Sequence, residues 1–70
     1  MTTHMHITLN GKPHHAPDGA SVASLVEALV ADASQIAIER GGEIVPRSRW
    51  RETPLAEGDV VELVRFVGGG

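Results

Sequence analysis

Met5-His6-Ile7-Thr8-Leu9-Asn10-Gly11-Lys12-Pro13-His14-His15-Ala16 is the stretch that decides how this chain folds. Met5, Ile7 and Leu9 alternate with His6 and Thr8, the period-two pattern of a strand with one buried face. Asn10-Gly11 then supplies two residues that tolerate positive φ, as a type I′ hairpin turn requires, so Lys12 to Ala16 folds back as a second strand. Pro13 cannot donate to a ladder on both sides and places that strand at a sheet edge.

Working outward, Pro17-Asp18-Gly19 is turn chemistry, and Ser21 stands where its hydroxyl can cap a helix. Val22, Leu25, Val26 and Leu29 recur at helical spacing and predict one apolar stripe on a helix running to about Ala31. Ile36 and Ile38 alternate with Ala37 and Glu39 in a third strand. Gly41-Gly42 turns the chain into a short strand, Glu43 to Val45, which Pro46 ends. Arg47 to Thr53 has neither period and reads as a loop or single helical turn pinned by Trp50. Glu57-Gly58-Asp59 is a further turn, and Val60 to Val67 forms the last strand, with Val61 and Leu63 inward. The order is ββαβββ, an α+β layer of one main helix on a sheet, and it occupies residues 5–67 as one domain.

Composition narrows the function. A chain of 70 residues holds one compact core and no second domain to wall a catalytic cleft. It contains no cysteine, which removes disulfides, thiolate metal sites and any side-chain thiol nucleophile or persulfide. A net charge of −3, no basic run, and Phe66 and Trp50 as the aromatics make a poor nucleic-acid surface. Met1 through Leu9 has no apolar run of signal-peptide or membrane length, so a cytoplasmic location and no membrane partner are expected. Met1 to His4 reads as a lead without a role.

Two further blocks carry a resemblance. Ile44-Val45-Pro46-Arg47 with Trp50, the Gly58-Asp59 turn, and Gly68-Gly69-Gly70 after Phe66-Val67 resemble the ThiS family of thiamine-biosynthesis sulfur carriers across Met5 to Gly70. Gly41 departs from the asparagine more frequent in that family, a swap the turn tolerates. The resemblance implies a ubiquitin-like β-grasp with a mixed sheet, its last strand beside the first, a placement that periodicity alone does not provide. It also implies that Gly70 is the working residue. A ThiF-type adenylyltransferase using ATP and Mg would adenylate its carboxylate, and sulfur from a cysteine-derived persulfide donor would convert it to a thiocarboxylate. A ThiG-type thiazole synthase would then take the sulfur. The protein would be a carrier and co-substrate rather than an enzyme, with no bound cofactor and no metal, and monomeric when free.

The chemistry suits the residues. A carboxylate is a poor acyl donor, and AMP gives it a leaving group. Gly68, Gly69 and Gly70 form a thin tail with wide φ and ψ freedom that can enter partner sites. Val64 and Phe66 alternate with inward Leu63 and face solvent with Ala37 of the neighbouring strand; with Val67 they make an apolar partner-binding patch beside the tail. A two-residue turn at Asn10-Gly11 sets His6 opposite His15, with His4 nearby, but no carboxylate partner is evident in the sequence to complete a metal site. Glu27, Glu57, Asp59 and Glu62 show no partner suited to acid–base catalysis. Trp50 reads as a core lid, and Arg47, Arg49 and Arg51 as a solvated loop. The alternatives are a molybdopterin-synthase-type sulfur carrier, a ubiquitin-like modifier joined to lysines through Gly70, and a plain docking module with an inert tail. The Pro46-Arg47-Trp50 block favours the thiamine branch.

Overall fold

The computed structural model describes residues 4–66. The opening hairpin forms as its turn dictates: Asn10 and Gly11 have φ of 51° and 79°, joining β1 (His4–Leu9) to β2 (Lys12–Pro17). The strand starts at His4, which pairs with Pro17, so this residue is part of the sheet rather than of a lead. Met5 and Ile7 are buried, and Ala16 is buried opposite Met5.

Ser21 caps α1 (Val22–Leu29) through a reciprocal pair, its Oγ accepting from Ser24 N at 3.1 Å while Ser24 Oγ accepts from Ser21 N at 2.9 Å. The remaining early N–H groups are also satisfied. Val22 donates to Thr53 O, Ala23 to Trp50 O and Leu25 to Ser21 O. The helix stops two residues before the predicted Ala31. Val30 is extended, and Asp32 Oδ1 accepts from Ser34 N at 3.0 Å, a local turn that competes with the helical ladder. That same backbone N–H holds the Asp32 carboxyl below its ordinary value. Val22, Leu25 and Val26 are buried, whereas Leu29, at the end of the stripe, is exposed.

β3 (Ile36–Arg40) turns through Gly41-Gly42, at φ of 60° and 86°, into β4 (Glu43–Val45). A 3₁₀ turn (Arg47–Arg49) follows and delivers Trp50 into the core. The indole N–H donates to Val45 O at 2.9 Å, and the Arg47 guanidinium lies 4.4 Å from the ring centroid. Arg47 also donates to Ala33 O at 2.6 Å and Ile36 O at 3.1 Å, so this exposed side chain clamps the loop before β3. Asp59 fixes the start of β5 (Val60–Arg65), accepting from Ala56 N at 2.8 Å and Arg40 Nε at 2.9 Å.

The five strands form one sheet in the order β2-β1-β5-β3-β4. β5 runs parallel to β1 and antiparallel to β3, so the sheet is mixed and its last strand is its centre. This is the ubiquitin-like β-grasp. The core lies between α1 and one face of the sheet, with Val22, Val26, Ile38 and Val61 fully buried and Leu55 joining them. Leu63 is half-buried and packs against that core. β2 is an edge strand. Thr8 N turns away from it to Asp59 O and His6 N to Glu57 Oε1, so the nitrogens of Pro13, His15 and Pro17 lie along the free edge. Of these, His15 alone carries an N–H.

Candidate functional site

The expected site has two parts, a tail and a face. Val67, Gly68, Gly69 and Gly70 lie outside the described residues, and the last strand is described to Arg65 with Phe66 following. Phe66 is held beside β3, its N–H donating to Gln35 O at 2.9 Å. The tail therefore follows directly on the central strand, which is anchored on its inner side by Val61 and Leu63.

The face is set by strand parity. Ala37 is the direct cross-strand neighbour of Val64, as the alternation predicts. Val64 is 43% and Phe66 46% exposed, while Ala37 is half-buried. Two residues that the sequence reading did not assign to this surface join it. The Gly41-Gly42 turn sets Ile44 opposite Glu39 on the outer face, where it is 69% exposed. Val60, opposite Thr8, is 49% exposed. The signal for Ile44 was available, because a two-residue turn fixes the parity of the strand that follows it. Four of the five large exposed hydrophobic side chains among the described residues thus belong to one face or its margin: Ile44, Val60, Val64 and Phe66. Exposed apolar side chains gathered on one sheet face are what an interaction surface requires.

Glu39 and Glu62 stand directly opposite each other on β3 and β5 on that same face.

The histidines lie elsewhere on the sheet. His6 is opposite His15, with the two rings edge to face at 4.8 Å, and His4 lies 6.4 Å from His15. Glu57, which the sequence reading left without a partner, accepts from the His6 backbone N–H at 2.9 Å and lies 3.0 Å from Nδ1. The backbone N–H is the main reason the Glu57 carboxyl sits below its ordinary value. Among the described residues no group of three or more His, Asp or Glu side chains is placed to hold a metal ion. No helix among them is long and apolar enough to cross a membrane.

Comparison with known proteins matches residues 7–70 to the ThiS family model. The sulfur carrier protein ThiS of Bacillus subtilis is 34% identical over 65 residues, covering 91% of this chain and 98% of that protein. The crystal structure of a thiamine biosynthesis protein (ThiS) from Geobacter metallireducens superimposes with a TM-score of 0.78 at 41% identity, covering 94% of this chain and all of that one. A thiazole synthase from Paramagnetospirillum magneticum is 35% identical over 66 residues, and there the chain spans only 20% of the relative's length. With the family match running from the first strand through the terminal glycines, and the fold shared with a solved member, this chain belongs to the ThiS family.

Proposed function

We propose that the chain is a cytoplasmic sulfur carrier for the thiazole of thiamine, with the Gly70 carboxylate as its working group. A ThiF-type adenylyltransferase, using ATP and Mg, joins that carboxylate to AMP with loss of pyrophosphate. The terminal sulfur of a cysteine-derived persulfide attacks the activated carbonyl and AMP leaves. A thiolate of a partner protein or a small-molecule thiol then attacks the outer sulfur of the resulting acyl disulfide, forming a new disulfide and releasing the thiocarboxylate of the chain. A ThiG-type thiazole synthase takes the sulfur from it. The chain supplies the accessible carboxyl and a docking face, and its partners supply the catalysis and the nucleotide.

The observation that carries this reading is the family match extending through Gly70. Composition supports it, since a chain of 70 residues without cysteine has no thiol on which to hold sulfur. The outer face, with Ala37, Val64 and Phe66 joined by Ile44, supplies what the partners would grip.

Intact-mass measurement tests the proposal. Incubation with the adenylyltransferase, ATP, magnesium and a persulfide source should replace one oxygen of the chain with sulfur, and fragmentation should place that sulfur on Gly70. Deleting Gly70 shortens the reach by about 3.5 Å, and adding a residue after it displaces the carboxyl. Either change should abolish the product while circular dichroism stays that of the intact chain. If shortened or extended chains accept sulfur as well as the original, the carrier reading fails. Isopeptide adducts on lysines, in place of thiocarboxylate, would point to the modifier alternative.

A further inference from the structure

One pairing on the outer face breaks a local rule. Glu39 and Glu62 are direct cross-strand neighbours. Hydrogen bonds from Gly41 N to Val60 O and from Phe66 N to Gln35 O belong to the same ladder. Their spacing makes Glu39 and Glu62 a hydrogen-bonded pair, with Cα atoms about 5.5 Å apart. Like charges so placed repel and destabilise the sheet. A cation beside them would relieve this, but the ion pairs among the described residues are His6–Glu57 and Arg40–Asp59, neither of which involves this pair.

The surroundings make the pair more unusual. Val60 and Val64 flank Glu62 along the outer side of β5, Ala37 precedes Glu39 on β3, and Ile44 is the other cross-strand neighbour of Glu39. Any protein that covers this apolar face strips water from both carboxylates. Such burial is unfavourable unless the incoming surface brings an opposite charge. A departure from local stability at a surface of this kind is the signature of a functional constraint.

We propose that Glu39 and Glu62 together receive one cationic side chain of thiazole synthase, an arginine whose planar fork can bridge two carboxylates, when that enzyme docks on the outer face. The inference rests on the docking role assigned to this face above. Thiazole synthase is the occupant chosen because the P. magneticum thiazole synthase includes a segment similar to this chain, which keeps the two parts in one polypeptide. The pair would also set specificity, since an acidic surface of similar shape would be repelled.

Binding of the thiazole synthase from the same genome, titrated across a salt series, tests this with the full chain. The double variant Glu39→Gln/Glu62→Gln should bind about tenfold more weakly or worse, with a shallower dependence on salt, while melting no lower than the original chain. Phe66→Ala should weaken binding without changing the salt dependence, because it removes apolar surface and no charge. The proposal is overturned if the double variant binds as tightly and with the same salt slope as the original. It is equally overturned if the original does not bind thiazole synthase, or if the variant loses affinity for the adenylyltransferase alone. Loss with Phe66→Ala but not with the double variant removes the charge-reading role and leaves the docking face. Thiocarboxylate formation on Gly70, measured separately, reports on the carrier function whichever way the binding falls.

Discussion

Replacing Leu25, Leu63 and Leu29 in turn by alanine makes a graded test of the core. The helical and strand periods mark all three as inward, but the structure separates them: Leu25 is 4% exposed, Leu63 is half-buried, and Leu29 is 41% exposed. Truncating a buried leucine loses its transfer free energy and leaves a cavity, so Leu25→Ala should cost about 3 kcal/mol. Leu63→Ala, with part of its surface already in water, should cost about 1.5 kcal/mol. Leu29→Ala should stay within about 1 kcal/mol, because little burial is lost and alanine favours the helix. A chain of 70 residues has a total stability of roughly 3.5 to 10 kcal/mol, so the Leu25 variant loses about 30% of it or more. In a melt that is a drop of about 12 °C or more. Urea denaturation followed by the fluorescence of Trp50, the single tryptophan, gives the free energies, and an unchanged slope confirms that the native and denatured states are otherwise the same. If Leu29→Ala destabilises as much as Leu25→Ala, the helix is rotated relative to the sheet and the core assignment is wrong.

The β2 edge should be closed to strand addition by its prolines, so Pro13→Thr with Pro17→Thr restores two outward N–H donors and should produce concentration-dependent dimers in sedimentation velocity; a double variant that stays monomeric at every concentration refutes the edge argument. Arg47→Met removes the donor to the carbonyls of Ala33 and Ile36 and the stack on Trp50, and should cost about 1 to 3 kcal/mol with a shift in Trp50 emission; a melt and a spectrum unchanged from the original would show the clamp to be idle. Glu57 is held below its ordinary value of 4.5 chiefly by the His6 backbone N–H. Its contribution is therefore present above that value and lost as pH falls through the lower folded value. The stability gap between the original chain and Glu57→Gln should narrow as pH drops from neutral to below 4.5, and a gap constant over that range would contradict the assignment.

The sequence by itself determined the elements whose causes are local. Asn10-Gly11 and Gly41-Gly42 dictate two-residue turns, the alternations of Met5 to Leu9 and Ile36 to Ile38 dictate strands, and Ser21 with Val22, Leu25 and Val26 dictates a capped helix. Each depends on backbone preference within a few residues, and each is present in the fold. Parity placed the outer face as well, since Ala37, Val64 and Phe66 lie on the side of the sheet that alternation assigns to them. Gly70 was reached by resemblance rather than by packing. Only the tertiary structure decided which strands are neighbours, and so which side chains from distant parts of the chain share a surface. β5 in the centre of the sheet brings Val60 and Val64 beside Ile44, sets Glu62 against Glu39, and brings Glu57 to His6 across 51 positions of sequence. It is also packing that buries Leu25 and leaves Leu29 in water on the same helical stripe. The physical reason is that strand order is selected by the burial summed over the whole chain. Period and turn chemistry constrain only the few residues on either side of each turn, and say nothing of what lies across the sheet.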